Sequence, residues 1–302
     1  MKAIVMTGYG DVDTLELRDM PEPSVGPGDV KVRVKAASVN PIDWKIRKGS
    51  RQGFIPVRFP YVPGRDVSGE VVEVGRDVTR FKEGDQVMGL VNGGYAERVV
   101  APAEAWAPVP RSLDTRDAAA LPLVSLTGTQ LMEEGVDPHK GDTVLVTGAM
   151  GSVGRAAVHA AKRRGAKVWA GVRRKQKSDA AQLGVDGVVA IDDPADLDSL
   201  PPLDAIADTV GGETTTRLLP RLKPGGTLGS VVGEPPGAKE RGIQVRSILG
   251  HPDGKRLAQL GEDVARGELA IPIAKRFPLR DAREAQQTAE RGGVNGKVLL
   301  TP

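Results

Sequence analysis

The chain of 302 residues contains no cysteine. That single count excludes disulfides, cysteine-ligated zinc, iron–sulfur clusters and thiolate nucleophiles. Histidine is nearly as scarce, with His139, His159 and His251 scattered along the sequence. Aromatic residues make up only 3%, too few for the stacking platforms on which single-stranded nucleic acids are read. Long apolar runs are missing too, since none approaches the ~20 residues of a membrane helix. The opening MKAIVMTGYG has four successive apolar residues, too short a run for the apolar region of a signal peptide. A cytoplasmic location and no membrane partner are the resulting expectations. A large net charge is absent as well: 42 basic against 39 acidic residues leave +3. With the basic residues spread along the chain, a nucleic-acid role is disfavoured.

Glycine and proline, by contrast, are abundant at 38 and 23 residues, which implies many turns. In "DVKVRVKAASVN", Val30, Val32 and Val34 alternate with Lys31, Arg33 and Lys35, the period of a half-buried strand. "VSGEVVEVGRDVTRFKEGDQVMG" repeats the pattern, with turns at Gly75–Arg76 and Glu83–Asp85, so the first third reads as a β domain. Asp114 then marks a helix start before an Ala/Leu-rich stretch. "DTVLVTGAMGSVGRAAVHAAKRRGAKVWAGV" follows as strand, glycine turn, small-residue helix and second strand, a βαβ unit. Strands predicted over 187–191, 203–209 and 226–232 extend it into a parallel sheet. Leu257, Leu260 and Val264 mark one late helix face closed by Gly267, and Ala282, Ala285 and Ala289 another closed by Gly292. The strand "KVLL" ends the chain.

The turn "TGAMGSVG" sits between a strand and a helix, where backbone N–H groups and the helix dipole can hold a pyrophosphate. Ala149 stands where the first glycine of G-x-G-x-x-G would be, Gly151 permits close approach, and Gly154 lets the helix pack. Ala149, Met150, Gly151, Ser152, Val153 and Gly154 are therefore the expected cofactor cradle. About 20 residues on, an acid would hold the ribose of NAD. Arg173, Arg174 and Lys175 follow the second strand instead, with no acid before Asp179. A guanidinium pairs with a 2'-phosphate that a carboxylate would repel, so NADPH is the expected cofactor.

The order of these pieces, with "AASVNPIDWKIRKG", "VPGRDVSGEVVEVG", "FKEGDQVMG", "GGYAERVV", "PLVSLTGTQ", "DTVGG" and "NGKVLL", resembles the medium-chain dehydrogenase/reductases. It is most similar to the zinc-free quinone oxidoreductase, zeta-crystallin-like branch. The resemblance implies an α/β protein: a GroES-like catalytic domain over 1–118, a doubly wound Rossmann domain over 119–249, and a return segment over 250–302. It implies hydride transfer from NADPH to a small electrophilic acceptor, a quinone or an α,β-unsaturated carbonyl, without a metal. An enoyl or alkenal reductase and a non-catalytic NADPH-binding protein are the alternatives. Zinc-dependent relatives carry Gly-His-Glu where this chain has Gly64-Arg65-Asp66, and here Arg65 and Asp66 are expected to form a structural ion pair or hydrogen bonds.

Carried over by the same resemblance, Asn40 faces the nicotinamide and substrate with Asp43 beside it; where relatives often have a tyrosine this chain departs with Trp44-Lys45-Ile46-Arg47-Lys48, and Lys45, at an exposed strand end, is the candidate donor in its place. Thr127, Gly211, Val231, Val232 and Gly233 line the cofactor, and Asn295 and Lys297 border its phosphates or nicotinamide. A homodimer paired through sheet edges is the family's habit.

Overall fold

The computed structural model describes residues 1–302. It divides into one compact unit of 1–123 with 252–302, and a second of 124–251.

Along the first unit run β1 (Lys2–Met6), β2 (Leu15–Asp19), β3 (Asp29–Val39), β4 (Asp66–Val74), β5 (Gln86–Leu90), β6 (Arg98–Pro102) and β7 (Trp106–Pro108). The long strand β3 organises them, pairing antiparallel with β4 and with β6. Its alternation works as read: Val30, Val32 and Val34 are buried against Val67, Val71 and Val87, while Arg33 faces water. At Gly69 on β4 a Cβ would lie 2.0 Å from the Arg33 carbonyl oxygen, so only glycine lets the two strands close there.

The second unit carries β8 (Thr143–Thr147), β9 (Lys167–Val172), β10 (Gly187–Ala190), β11 (Leu203–Asp208), β12 (Leu222–Ser230) and β13 (Gln244–Ser247). They form one parallel sheet in the order β10-β9-β8-β11-β12-β13. Buried on both faces, these strands read as continuous apolar runs such as Val144, Leu145 and Val146. The direction of winding reverses between β8 and β11, the switch point outside which such sheets bind ligands.

The chain then returns to the first unit with β14 (Ile273–Pro278) and β15 (Lys297–Thr301). β15 pairs antiparallel with β3, setting Val298 opposite Val39. The helices Gly254–Ala265 and Ala282–Arg291 bury Leu257 and Leu260, and Ala282 and Ala285. Gly267 and Gly292 follow these helices with φ of +74° and +70°, the left-handed stop that glycine supplies.

Candidate active site and dinucleotide cradle

In the second unit, the turn after β8 is built from glycine at the two points where a side chain cannot fit. Gly148 has φ +63°, and Gly154 lies so close to the turn that a Cβ would sit 2.2 Å from the Gly148 carbonyl oxygen. The tight-turn glycine is thus Gly148, one position before Ala149, whose methyl is buried in the core with Met150. Gly151 is exposed at the N-cap of the helix Ser152–Arg163, and no side chain caps it. The N–H groups of Ser152, Val153 and Gly154 therefore have no partner within the helix, and at this end they favour an anion. These residues fit a dinucleotide pyrophosphate. Thr127 is held beside them because Gly128 packs onto this first turn, where a Cβ would lie 2.4 Å from the Val153 carbonyl oxygen.

Across the switch point a buried carboxylate ties the strand ends together. Asp208 Oδ1 accepts hydrogen bonds from Thr147 Oγ1 (2.8 Å), Thr215 Oγ1 (2.8 Å) and the Gly211 N–H (3.0 Å), and Oδ2 accepts one from Ser230 Oγ (3.1 Å). Sequence reasoning took only Gly211 from "DTVGG"; the aspartate that begins this motif was its available signal. Gly211 has φ +77° and abuts Val232, whose Cγ2 would be 2.9 Å from a Cβ there. Val231 N–H donates to the Asp208 carbonyl, and Gly233 follows with φ +108°, so Gly211 and Val232 lie side by side beyond the ends of β11 and β12.

The basic loop after β9 is less free than its sequence implies. Arg173 and Lys175 are exposed, but Arg174 pairs with Asp193 and its N–H donates to Asp192 Oδ1 at 2.8 Å. The acids come from the connection after β10, about 20 residues downstream. The pair is exposed and worth little, so a phosphate can compete for the guanidinium.

In the first unit, β3, β4 and β15 bring a set of polar side chains into the interior. Asp66 Oδ2 accepts hydrogen bonds from Ser38 Oγ (2.6 Å) and Asn40 Nδ2 (2.8 Å), and its Oδ1 accepts the Leu123 N–H (2.6 Å). Lys297 Nζ donates to Asn40 Oδ1 at 2.5 Å and stands 3.6 Å from Asp66. Asp66 makes the structural hydrogen bonds and ion pair expected at this position, with Ser38, Asn40 and Lys297 as partners, and Arg65 is not among them. One expectation is corrected here. The Lys297 ammonium, assigned to the cofactor's phosphates or nicotinamide, is spent inside this unit instead, while Asn295 is exposed. Asn40 is fully buried with its carbonyl and amide both engaged.

Pro41 at the first helical position starts the helix Pro41–Arg47 directly after Asn40. Lys45 therefore sits on a helix, not at a strand end; burial lowers its pKa, with Arg51 adding to the effect. Asp43, in the first turn, accepts the Asn40 N–H (2.8 Å) and the Tyr95 hydroxyl (2.9 Å) on Oδ2, while its Oδ1 has no partner. One ammonium cannot neutralise two buried carboxylates. Asp66 holds Lys297, and burial pushes Asp43 up to about 6, the two hydrogen bonds opposing it. Burial and the Asp43 charge also raise the Tyr95 phenol well above its usual value, and burial lowers Lys297.

This has a consequence for stability. A carboxyl whose folded pKa exceeds its unfolded value binds its proton more tightly when folded, so stability falls as pH rises between the two. From 3.8 to about 6 the loss is ~3 kcal/mol. Asp43→Asn is expected to remove that slope: urea melts at pH 4 and pH 7 should show the variant gaining on the wild type by this amount. A constant difference between them would refute the assignment.

No group of three or more His, Asp or Glu side chains converges in a way that could hold a metal ion. His139 stands beside Asp142, and His251 beside Glu134. The residues present do not fit a zinc centre.

Residues 26–111 match the family model described as "Alcohol dehydrogenase GroES-like domain", and 183–300 the one described as "Zinc-binding dehydrogenase". A mitochondrial NAD(P)H oxidoreductase of Bos taurus is 32% identical over 99% of this chain and 89% of its own length. The solved quinone oxidoreductase of Coxiella burnetii superposes with a TM-score of 0.89 at 31% identity, covering 100% of this chain and 99% of its own. A mycobacterial protein complexed with NADPH gives a TM-score of 0.85 at 28% identity, with both chains covered in full (100%).

Proposed function

The chain belongs to the medium-chain dehydrogenase/reductase family, in its quinone oxidoreductase branch, and is an NAD(P)H-dependent oxidoreductase; from that premise we propose that it uses NADPH to reduce a quinone or another α,β-unsaturated carbonyl, without a metal ion. When bound, the reduced nicotinamide supplies the hydride. The chain's own residues do the rest. Gly148, Gly151 and Gly154 keep the cradle open, and the N–H groups of Ser152, Val153 and Gly154 hold the pyrophosphate. Arg173, Lys175 and, by exchange with Asp193, Arg174 hold the 2'-phosphate. Asn40, locked by Lys297 and Asp66, fixes the start of the helix that carries Asp43.

The observation that carries the NADPH assignment is the run of cations at the end of β9, with no carboxylate on that strand end. The solved neighbour complexed with NADPH supports it. Replacing Arg173 and Arg174 together by alanine should weaken NADPH about 10- to 100-fold, the worth of charge-assisted phosphate contacts, and leave NADH nearly unchanged. Fluorescence titration with both nucleotides checks this; equal losses would remove the assignment.

The electrophilic acceptor is our reading of a chain in which no three His, Asp or Glu side chains converge to hold a metal ion: a substrate taken without a Lewis acid must already be polarised. Product analysis separates quinone reduction from reduction of an enone double bond. A homodimer formed through the open edge at β13 and a cytoplasmic location belong to the same reading. No helix is long and apolar enough to cross a membrane.

A further inference from the structure

Basic residues are spread along the chain, but acids are not. Between Asp43 and Asp66 there is no Asp or Glu, while Lys45, Arg47, Lys48, Arg51, Arg58 and Arg65 fall in the gap. Leaving out these six cations turns the net charge of the chain from +3 to −3, so the whole basic excess sits in one segment of the first unit. Arg47 and Lys48 share Glu290. Lys45, Arg51 and Arg58 make no ion pair. Burial and then the Arg51 charge lower the Lys45 pKa, so two like charges lie within reach of each other.

The same segment carries the most exposed large apolar side chain of the protein. Phe54 is 84% exposed, ahead of Leu249 at 71%. Its neighbours are anchored. Ile55 and Val57 pack on the core that holds Ile4, Ile46 and Leu300, and Phe59 meets Tyr9 edge-on with ring centroids 4.9 Å apart. The Phe54 and Ile55 N–H groups both donate to the Arg51 carbonyl, at 2.9 and 2.8 Å, and the Gln52 N–H donates to the Gly49 carbonyl at 3.1 Å. Phe54 is therefore held outward by a turn that is pinned on both sides.

In water this arrangement is unfavourable twice over. A whole phenyl ring stays hydrated, and cations crowd together with no counter-charge between them. Both penalties are relieved together by a surface that is anionic outside and apolar just beneath. A ring this exposed lies in no groove of the kind along which single-stranded bases stack. We propose that residues 44–65 dock this unit on an anionic lipid surface, with Phe54 entering the boundary between headgroups and acyl chains while Lys45, Arg51 and Arg58 meet the lipid phosphates.

Long apolar runs are what spanning a membrane requires; surface attachment requires only a basic rim and an apolar tip. With one ring and three free cations the attachment is reversible and salt-sensitive. It stands apart from the acceptor reading, since neither NADPH nor turnover enters it.

The test is flotation of the full chain with vesicles of phosphatidylcholine alone or mixed with phosphatidylglycerol. Wild type should float with the anionic vesicles only, and about 0.5 M salt should release it. Phe54→Ser should weaken the partition about tenfold, the worth of burying part of one phenyl ring. Arg51→Glu with Arg58→Glu should abolish it, each reversal removing an attraction and adding a repulsion. Lys239→Glu with Arg241→Glu makes the same change in net charge at exposed positions of the second unit and should leave the partition nearly unchanged.

Phe54→Trp reads insertion directly. Its added fluorescence, over the wild-type signal of Trp44, Trp106 and Trp169, should shift to the blue on anionic vesicles and be quenched by lipids brominated in their acyl chains. No flotation, equal losses in the two charge-reversed pairs, or Phe54→Ser floating like wild type would overturn the proposal. So would retention of a single-stranded oligonucleotide by a chain that ignores the vesicles.

Discussion

Gly154→Ala is expected to abolish measurable NADPH binding, with affinity lower by at least about 100-fold. The added Cβ would lie 2.2 Å from the Gly148 carbonyl oxygen and 2.8 Å from the Ala149 Cα. Both are backbone atoms, so no side chain can rotate away. Relief requires the helix Ser152–Arg163 to retreat from the turn by more than 1 Å, roughly the gap to a normal contact. Its open N–H groups then leave the position from which they meet the pyrophosphate, and charge-assisted hydrogen bonds worth ~1.5–3 kcal/mol each weaken together. Isothermal titration with NADPH reads the effect, and circular dichroism separates it from unfolding. Gly151→Ala separates a clash within the chain from one with the ligand: its Cβ would meet only the Gly148 oxygen, at 3.2 Å, and φ of −75° is open to alanine, so the fold should be unperturbed and any loss of NADPH affinity reports crowding of the pyrophosphate at the N-cap. Wild-type NADPH affinity in Gly154→Ala would contradict the cradle's geometry.

Lys297→Met should be the most destabilising change in the first unit. It strips the cation from a carboxylate, Asp66, that is wholly buried. Breaking a buried pair by removing one partner costs ~3–5 kcal/mol, mainly through the charge left behind. The double change Lys297→Met with Asp66→Asn removes both charges and should recover part of the loss, because the amide oxygen can still accept from Ser38 and Asn40 while its NH2 forfeits the hydrogen bond from the Leu123 N–H. A double-mutant cycle by urea denaturation at pH 7 tests this, with a coupling of ~2 kcal/mol or more expected. Additive losses would mean that the two charges do not interact.

Much of the scaffold was legible because its determinants are local. Alternation along β3, apolar runs in β8 and β11, glycines after late helices and a strand–turn–helix cradle are each written within a dozen residues. The polar interior of the first unit was not legible in this way. Asn40 and Lys297 are 257 positions apart, and no periodicity reports which side chains meet across β3, β4 and β15. Lys45 was misplaced although Pro41 after Asn40 is itself a helix-start signal. Arg174 looked free because its partner Asp193 belongs to the next strand's connection. Tyr95 and Asp208 went unnoticed as single polar residues in apolar surroundings, which have no pattern until the fold supplies their partners.

The most direct measurement of the central claim follows NADPH absorbance with the purified chain and a panel of quinones and enones, with and without a strong chelator. NADPH should be consumed one-for-one with reduced acceptor, faster than NADH, and at a rate the chelator leaves unchanged. Loss of the rate on chelation with recovery on adding zinc, or no consumption with any acceptor, would contradict it.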